Sequence, residues 1–206
     1  DILFGNAGND RIFGDADDDV ISGDSGSDKL YGGTGNDQLL GIVGRDVLRG
    51  HSGDDTLKGG TGRDKLFGHS GDDLLEGGSG YDTLKGSSGD DNLKGNKGDD
   101  ALFGGSGSDR LKGGSGRDTL KGQSGDDNLW GGAGKDTFEF DLASGRDKVL
   151  DFDVRDTIRI LEGADRKGDL NFTETKAGLL IEFGETDILI VDGTAALVPH
   201  ITFDFG

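Results

Sequence analysis

The sequence contains no cysteine, so neither a disulfide nor a thiolate metal site can hold it together. It has 1 proline, which rules out a proline-rich linker. No apolar run approaches the length of a membrane span, and no signal peptide is visible at the amino terminus. Methionine is absent even from position 1, as expected of a fragment of a longer protein. Apolar residues make up only 31% of the chain and aromatic ones 7%. Basic residues are few: 22 Lys and Arg stand against 41 Asp and Glu, a net charge of −19. That charge argues against nucleic acid as a partner and against insertion into an anionic membrane. An acidic chain this poor in aromatics is either a disordered polyanion or a chain that folds when cations neutralise it. The arrangement of the charges decides between the two.

What the sequence has is glycine, 42 of 206 residues, and it is periodic. From Gly5 to Glu139 the chain divides into fifteen blocks of nine without insertion or deletion. One block runs Gly59-Gly60-Thr61-Gly62-Arg63-Asp64-Lys65-Leu66-Phe67; another runs Gly113-Gly114-Ser115-Gly116-Arg117-Asp118-Thr119-Leu120-Lys121. Position 1 is always Gly, and position 4 is Gly except at Asp17. Position 6 is always Asp: Asp10, Asp19, Asp28, Asp37, Asp46, Asp55, Asp64, Asp73, Asp82, Asp91, Asp100, Asp109, Asp118, Asp127 and Asp136. Asp1 falls in the same phase, so the sequence starts inside a further block. Position 8 is Leu or Ile until Phe138.

Each fixed position has a physical reading. Glycine at 1 and 4 admits positive φ and a sharp turn. Asp17 is a mild departure, because Asp tolerates left-handed backbone. Positions 7 to 9 predict a very short strand. Alternation turns position 8 inward and positions 7 and 9 to solvent. Two blocks make one coil of two strands and two turns. Stacked coils predict an all-β fold, a parallel β-roll of two sheets around a thin Leu core, with coils about 4.8 Å apart.

Such a core is too thin to offset the ordering of so much backbone. The stacked Asp columns oppose closure further, so the cation-free chain is expected not to fold stably. Ca²⁺ takes six to eight oxygens and accepts carboxylates and carbonyls together, whereas Mg²⁺ demands a tighter octahedron. In an extended turn the carbonyls of positions 1 and 3 should face one neighbouring coil, and those of 2 and 4 the other. Gly59, Gly60, Thr61 and Gly62, stacked on Gly77, Gly78, Ser79 and Gly80, illustrate the set. One Asp oxygen from each turn completes six ligands, and an interior Asp serves two ions. If every gap fills, the stack holds roughly 13 calcium ions.

This pattern identifies the segment as resembling the repeats-in-toxin family, whose nonapeptide repeat it matches across residues 1–139. The resemblance implies a secreted bacterial protein. It would pass through a type I secretion machinery unfolded, then fold on calcium outside the cell. Members include secreted metalloproteases, lipases, alginate epimerases, adhesins and pore-forming toxins. The implied role is therefore a calcium-binding module that supports an upstream effector domain. The alternative is an adhesive module that binds an extracellular polysaccharide.

Residues 140–206 lose the glycines and gain apolar alternation, and are expected to form a β-rich cap. Arg146 to Phe152 and Asp156 to Ile160 resemble the segment that closes the roll in serralysin-like proteases and epimerase modules. The resemblance adds Asp147, Asp151 and Asp156 to the candidate metal ligands. Strands are expected at Leu170–Thr175, Gly178–Phe183 and Thr186–Val191, the last two flanking a Gly184-Glu185 turn. The ending Phe203-Asp204-Phe205 resembles part of an uncleaved secretion signal, although Gly206 departs from the usual apolar end.

Other features are weaker. Phe13, Tyr31, Phe67 and Phe103 share one outer column, interrupted by Arg49 and Lys85, and read as scattered surface aromatics. His51 and His69 stack on one edge and could hold zinc, but no third ligand is evident; His200 is isolated. Position 5 is mostly acidic on one edge and partly basic on the other. An ice-binding roll would need regular Thr and Asn ladders, and positions 3 and 5 vary. No zinc-protease helix motif, serine-hydrolase elbow or phosphate loop is present, so the chain is read as non-enzymatic.

Overall fold

The computed structural model of the chain describes residues 1–141, 144–161, 171–175, 178–183 and 186–191. No helix occurs among them. The backbone winds as a β-solenoid of two sheets, in which strands from alternate blocks pair in parallel. One sheet begins at Ile2–Phe4 and takes its strands from every second block, through Thr56–Gly62 and Leu74–Gly80 to Asn128–Gly134. The other begins at Arg11–Ala16 and runs through Lys65–Ser70 and Thr83–Ser88 to Thr137–Phe140. Register is strict. Leu75 lies opposite Leu57 and Leu93, and Leu66 opposite Leu48 and Leu84.

The Leu column fills the space between the sheets. Ile21 and every position-8 Leu from Leu30 to Leu129 are fully buried, and Phe138, Val149 and Ile158 continue the column. Strands are longer than the sequence reading allows, six or seven residues in most coils. The ladder does not stop at position 9, because stacked turns also bond to each other. The Gly53 N–H, for example, donates to the Ser70 carbonyl at 2.9 Å.

The glycines divide their work differently from the expectation. Positive φ falls at positions 2 and 4, and position 1 is not left-handed. Asp17, at position 4, does adopt a φ of 71°. Position 1 needs glycine for room. A Cβ on Gly59 would lie 2.7 Å from Asp64 Oδ2 and 2.7 Å from the Gly77 carbonyl oxygen. Position 2 holds non-glycine residues in left-handed backbone, including Ile42 at 80° and His51 and His69 at 82°. For β-branched Ile42 this is a strained conformation, held by the coils on either side.

The sheets run past residue 139. Val149 pairs with Leu129 and Ile158 with Phe138, so the coil lengthens from eighteen residues to twenty. Strands then occur at Asn171–Thr175, Gly178–Phe183 and Thr186–Val191. Thr186–Val191 adds in parallel to Arg146–Val149, and the other two follow antiparallel. Gly184, Glu185, His200 and the Phe203 to Gly206 ending lie outside the described residues.

Candidate metal sites along the turn edges

The position-6 aspartates end each turn with the side chain directed inward. From Asp19 to Asp136 they are at most 2% exposed, and Asp147 and Asp156 join them at 1% and 4%. From Asp28 onward one oxygen of each is committed. Asp73 Oδ1 accepts the Asp55 N–H at 2.8 Å, and Asp91 Oδ1 accepts the Asp73 N–H at 2.8 Å. The same bond repeats up both edges, always from the amide of the preceding coil to the carboxylate of the next.

The second oxygen has no partner. Oδ2 of every position-6 aspartate from Asp10 to Asp136, and of Asp147, is buried without a hydrogen bond. Burying an unpaired carboxylate oxygen is costly. Burial is the main reason these groups resist ionisation, and the backbone N–H that each accepts pulls the other way. Asp73 is pushed up to about 8. Asp109 and Asp118 rise to about 7. Asp46, Asp55, Asp64, Asp82, Asp91, Asp100 and Asp136 rise to about 6. Asp127 and Asp147, in contact with each other, are both raised by burial.

Carbonyls converge on the same gaps. The position-1 carbonyl of Gly77 points back toward Gly59, while those of Ile42 and Gly44, at positions 2 and 4, point forward toward Gly60 and Gly62. The position-3 carbonyl of Ser70 points back to the Gly53 amide. Among the described residues, no three His, Cys, Asp or Glu side chains gather into a metal cluster. Any ion between coils must therefore draw on backbone oxygens. An orphaned carboxylate oxygen, glycines too crowded for a Cβ and hard-oxygen donors throughout fit calcium, and fit a thiolate- or imidazole-seeking metal poorly.

The three later aspartates separate. Asp147 Oδ1 accepts the Asp127 N–H at 3.0 Å and Asp156 Oδ1 accepts the Asp136 N–H at 3.0 Å, so both extend the columns at the longer spacing. The second oxygen of Asp156 is occupied by the Asp153 N–H at 2.9 Å. Asp151 stands apart: its two oxygens cap the Gly131 and Gly132 amides at 2.8 and 2.9 Å. Asp1, in phase with the column, is exposed.

His51 and His69 stack in parallel, 4° between planes and centroids 5.0 Å apart. Their lone pairs therefore lie side by side and do not converge, which disfavours shared zinc. The outer aromatics are not scattered. Phe13 stacks on Tyr31 at 4.7 Å, and Arg49, apparently an interruption in sequence, lies 4.6 Å over Phe67 and 5.9 Å over Tyr31. Lys85 sits 5.2 Å over Phe103.

Two further ladders run along one edge. On the edge of Asp54 and Asp72, position 5 bonds forward: Asp54 Oδ1 accepts the Asp72 N–H at 2.8 Å. Position 3 of that edge is hydroxylated in every block from Thr34 to Ser124. Ser70 and Ser88 donate to the His51 and His69 carbonyls at 3.1 Å. The variation in position 3 belongs to the other edge. The acidic run at position 5 is visible once the edges are separated, and the same separation at position 3 reveals the hydroxyl ladder.

No curated protein matches the chain. Among solved structures, the extracellular lipase LipA from Serratia marcescens is similar at 22% identity and a TM-score of 0.34; the match covers 91% of this chain and 40% of the lipase. The family described as the RTX calcium-binding nonapeptide repeat (4 copies) matches residues 1–30, 16–48, 49–84, 76–111 and 103–138. Those segments cover most of the solenoid, and the chain belongs to the RTX calcium-binding nonapeptide repeat family.

Proposed function

We propose that the chain is a calcium-triggered folding module of an exported protein. The observation that carries this is the unbroken column of buried, unpartnered Oδ2 atoms. Calcium supplies positive charge and vacant coordination to these oxygens. Asp10 to Asp136 and Asp147 hold one oxygen toward each gap, and position 1 to 4 carbonyls, such as those of Gly59 to Gly62 and Gly77 to Gly80, provide the rest. Full occupancy corresponds to roughly 13 ions. Without them the buried carboxylates and thin core leave the chain unfolded, the state suited to passage through a type I secretion machinery.

On this reading residues 140–206 cap the roll, and chemistry belongs to an upstream effector domain rather than to this chain. The test is a calcium titration followed by far-ultraviolet circular dichroism and hydrodynamic radius. A sharp transition from expanded coil to compact β-structure is expected, with little response to equal Mg²⁺. A chain already compact and β-rich in chelator at neutral pH would sink the proposal.

A further inference from the structure

The outer face of the larger sheet carries a site unlike anything on the opposite face. Its position-9 column runs Lys58, Glu76, Lys94, Lys112, Trp130, each in register with the next. Glu76 takes Lys94 at 3.0 Å and Lys58 at 3.6 Å. Beyond that pair, among the described residues, neither Arg110 nor Lys112 has an ion-pair partner, although acids outnumber bases 41 to 22. Asn92, Lys94, Arg110, Lys112 and Trp130 line a hollow of about 240 Å³.

Trp130 is the sole tryptophan of the chain, half-buried at the side of this hollow. Among the described residues no ring or cation stacks on it, in contrast to Phe13, Tyr31, Phe67 and Phe103 across the roll, whose faces are taken up by neighbours. The hollow is smaller than the roughly 300–1,000 Å³ of pockets that enclose a drug-sized ligand. It has room for one ring-sized unit and is partly open to solvent.

We propose that this hollow binds a hexuronate unit of an acidic polysaccharide. The indole offers a flat apolar surface to the C–H face of a sugar ring. Arg110 and Lys112 offer two charged donors to its carboxylate, and Asn92 an amide to its hydroxyls. A sheet face presents no free backbone groups, so it lacks what an extended peptide needs to add as a strand. The apolar part of the lining is one small hollow walled by Lys and Arg side chains, far short of the apolar face of a membrane anchor. The site rests on the folding reading above, because Asn92, Arg110 and Trp130 come from three successive coils.

The test uses the full chain in millimolar calcium, with a tetrameric oligouronate short enough not to gel. Titration calorimetry and Trp130 emission are followed together. Saturable heat and an emission change are expected with the oligouronate, weakening as salt rises, and not with an uncharged oligoglucoside of equal length. The Arg110→Gln/Lys112→Gln double variant should bind at least tenfold more weakly with an unchanged circular dichroism spectrum. A folded chain that ignores the oligouronate, binds both sugars alike, or binds equally in the double variant overturns the site alone. Anionic phospholipid vesicles or single-stranded DNA that shift Trp130 emission where the oligouronate does not would also overturn it. A chain that stays unfolded in calcium overturns the folding reading and this site with it.

Discussion

Replacing Asp73 by Asn should have opposite effects with and without calcium. Asp73 stands in the middle of its edge, 2% exposed, with Oδ1 accepting one amide and Oδ2 unpartnered. Its carboxyl is pushed up to about 8, burial being the main cause. A carboxyl raised in the fold keeps its proton there more readily than in the unfolded chain, so at neutral pH ionisation works against folding. Asparagine mimics the protonated form: its amide oxygen can keep the bond to the Asp55 N–H. In chelator the variant should therefore be the more stable, by on the order of 2 kcal/mol after allowing for solvent screening. If Asp73 serves an ion on each side of its turn, as proposed, in calcium the variant loses a charged ligand to both. At about 1.5–3 kcal/mol for a contact to a charged group, the calcium midpoint should rise about tenfold or more. Asp10→Asn, in the first turn of its edge, should shift it much less. Midpoints come from circular dichroism; chelator stability comes from urea unfolding in a stabilising osmolyte, which makes the calcium-free fold measurable. Equal midpoints for the two variants, or an Asp73→Asn chain weakened equally with and without calcium, would refute shared ligation.

The remaining expectations concern pH, sterics and the end of the roll. In chelator, acid should compact the chain: the protonation benefit is complete below the ordinary aspartate value of 3.8 and is lost as pH rises through about 6 to 8. The calcium midpoint should rise over the same window as pH falls; a midpoint constant from pH 5 to 8 would contradict it. Gly59→Ala should block the calcium transition, because its Cβ meets Asp64 Oδ2 and the Gly77 carbonyl, while Asn96→Gly should be tolerated, because Asn96 is left-handed at 77° and glycine adopts that backbone freely; circular dichroism of the two variants decides. Removing residues 140–206 exposes the Asn128–Gly134 and Thr137–Phe140 strand edges and should raise the calcium midpoint severalfold, with Trp130 fluorescence as the readout. Unchanged folding of the shortened, monomeric chain would show that residues 140–206 are not needed to cover the end of the roll.

Much of the interior was legible because it repeats. An unbroken large apolar residue at position 8 and an invariant Asp at position 6 can occupy only equivalent places in stacked coils, and both columns lie where alternation puts them. The strands Gly178–Phe183 and Thr186–Val191 were also legible, from apolar runs either side of a turn. What escaped was whatever depends on the neighbouring coil. A glycine needed for positive φ and one needed for clearance look alike in sequence, so the role of Gly59 emerged only from its distance to Asp64 and Gly77. Ile42 in left-handed backbone runs against its own propensity and is dictated by stacking. Arg49 looked like a break among aromatics because linear order conceals that a cation can lie between two rings.

Strand register through the repeats pairs residues eighteen apart, and that spacing limits how such a chain can change length in descent. Loss or gain of eighteen residues removes or adds a whole coil and leaves each surface continuous. Loss of nine is subtler. Each block carries the same Asp and Leu, so the interior would close as before. Everything downstream, however, would pass to the opposite side: the hydroxyl and acidic ladders of one edge would be spliced onto Arg45 and Arg63 of the other, and Trp130 would move to the face that bears Phe67. Such a copying error would spare the fold and scramble what the fold displays. Inheritance of an intact surface therefore depends on even numbers of blocks, and a single-block deletion should act as a surface mutation of the whole distal half.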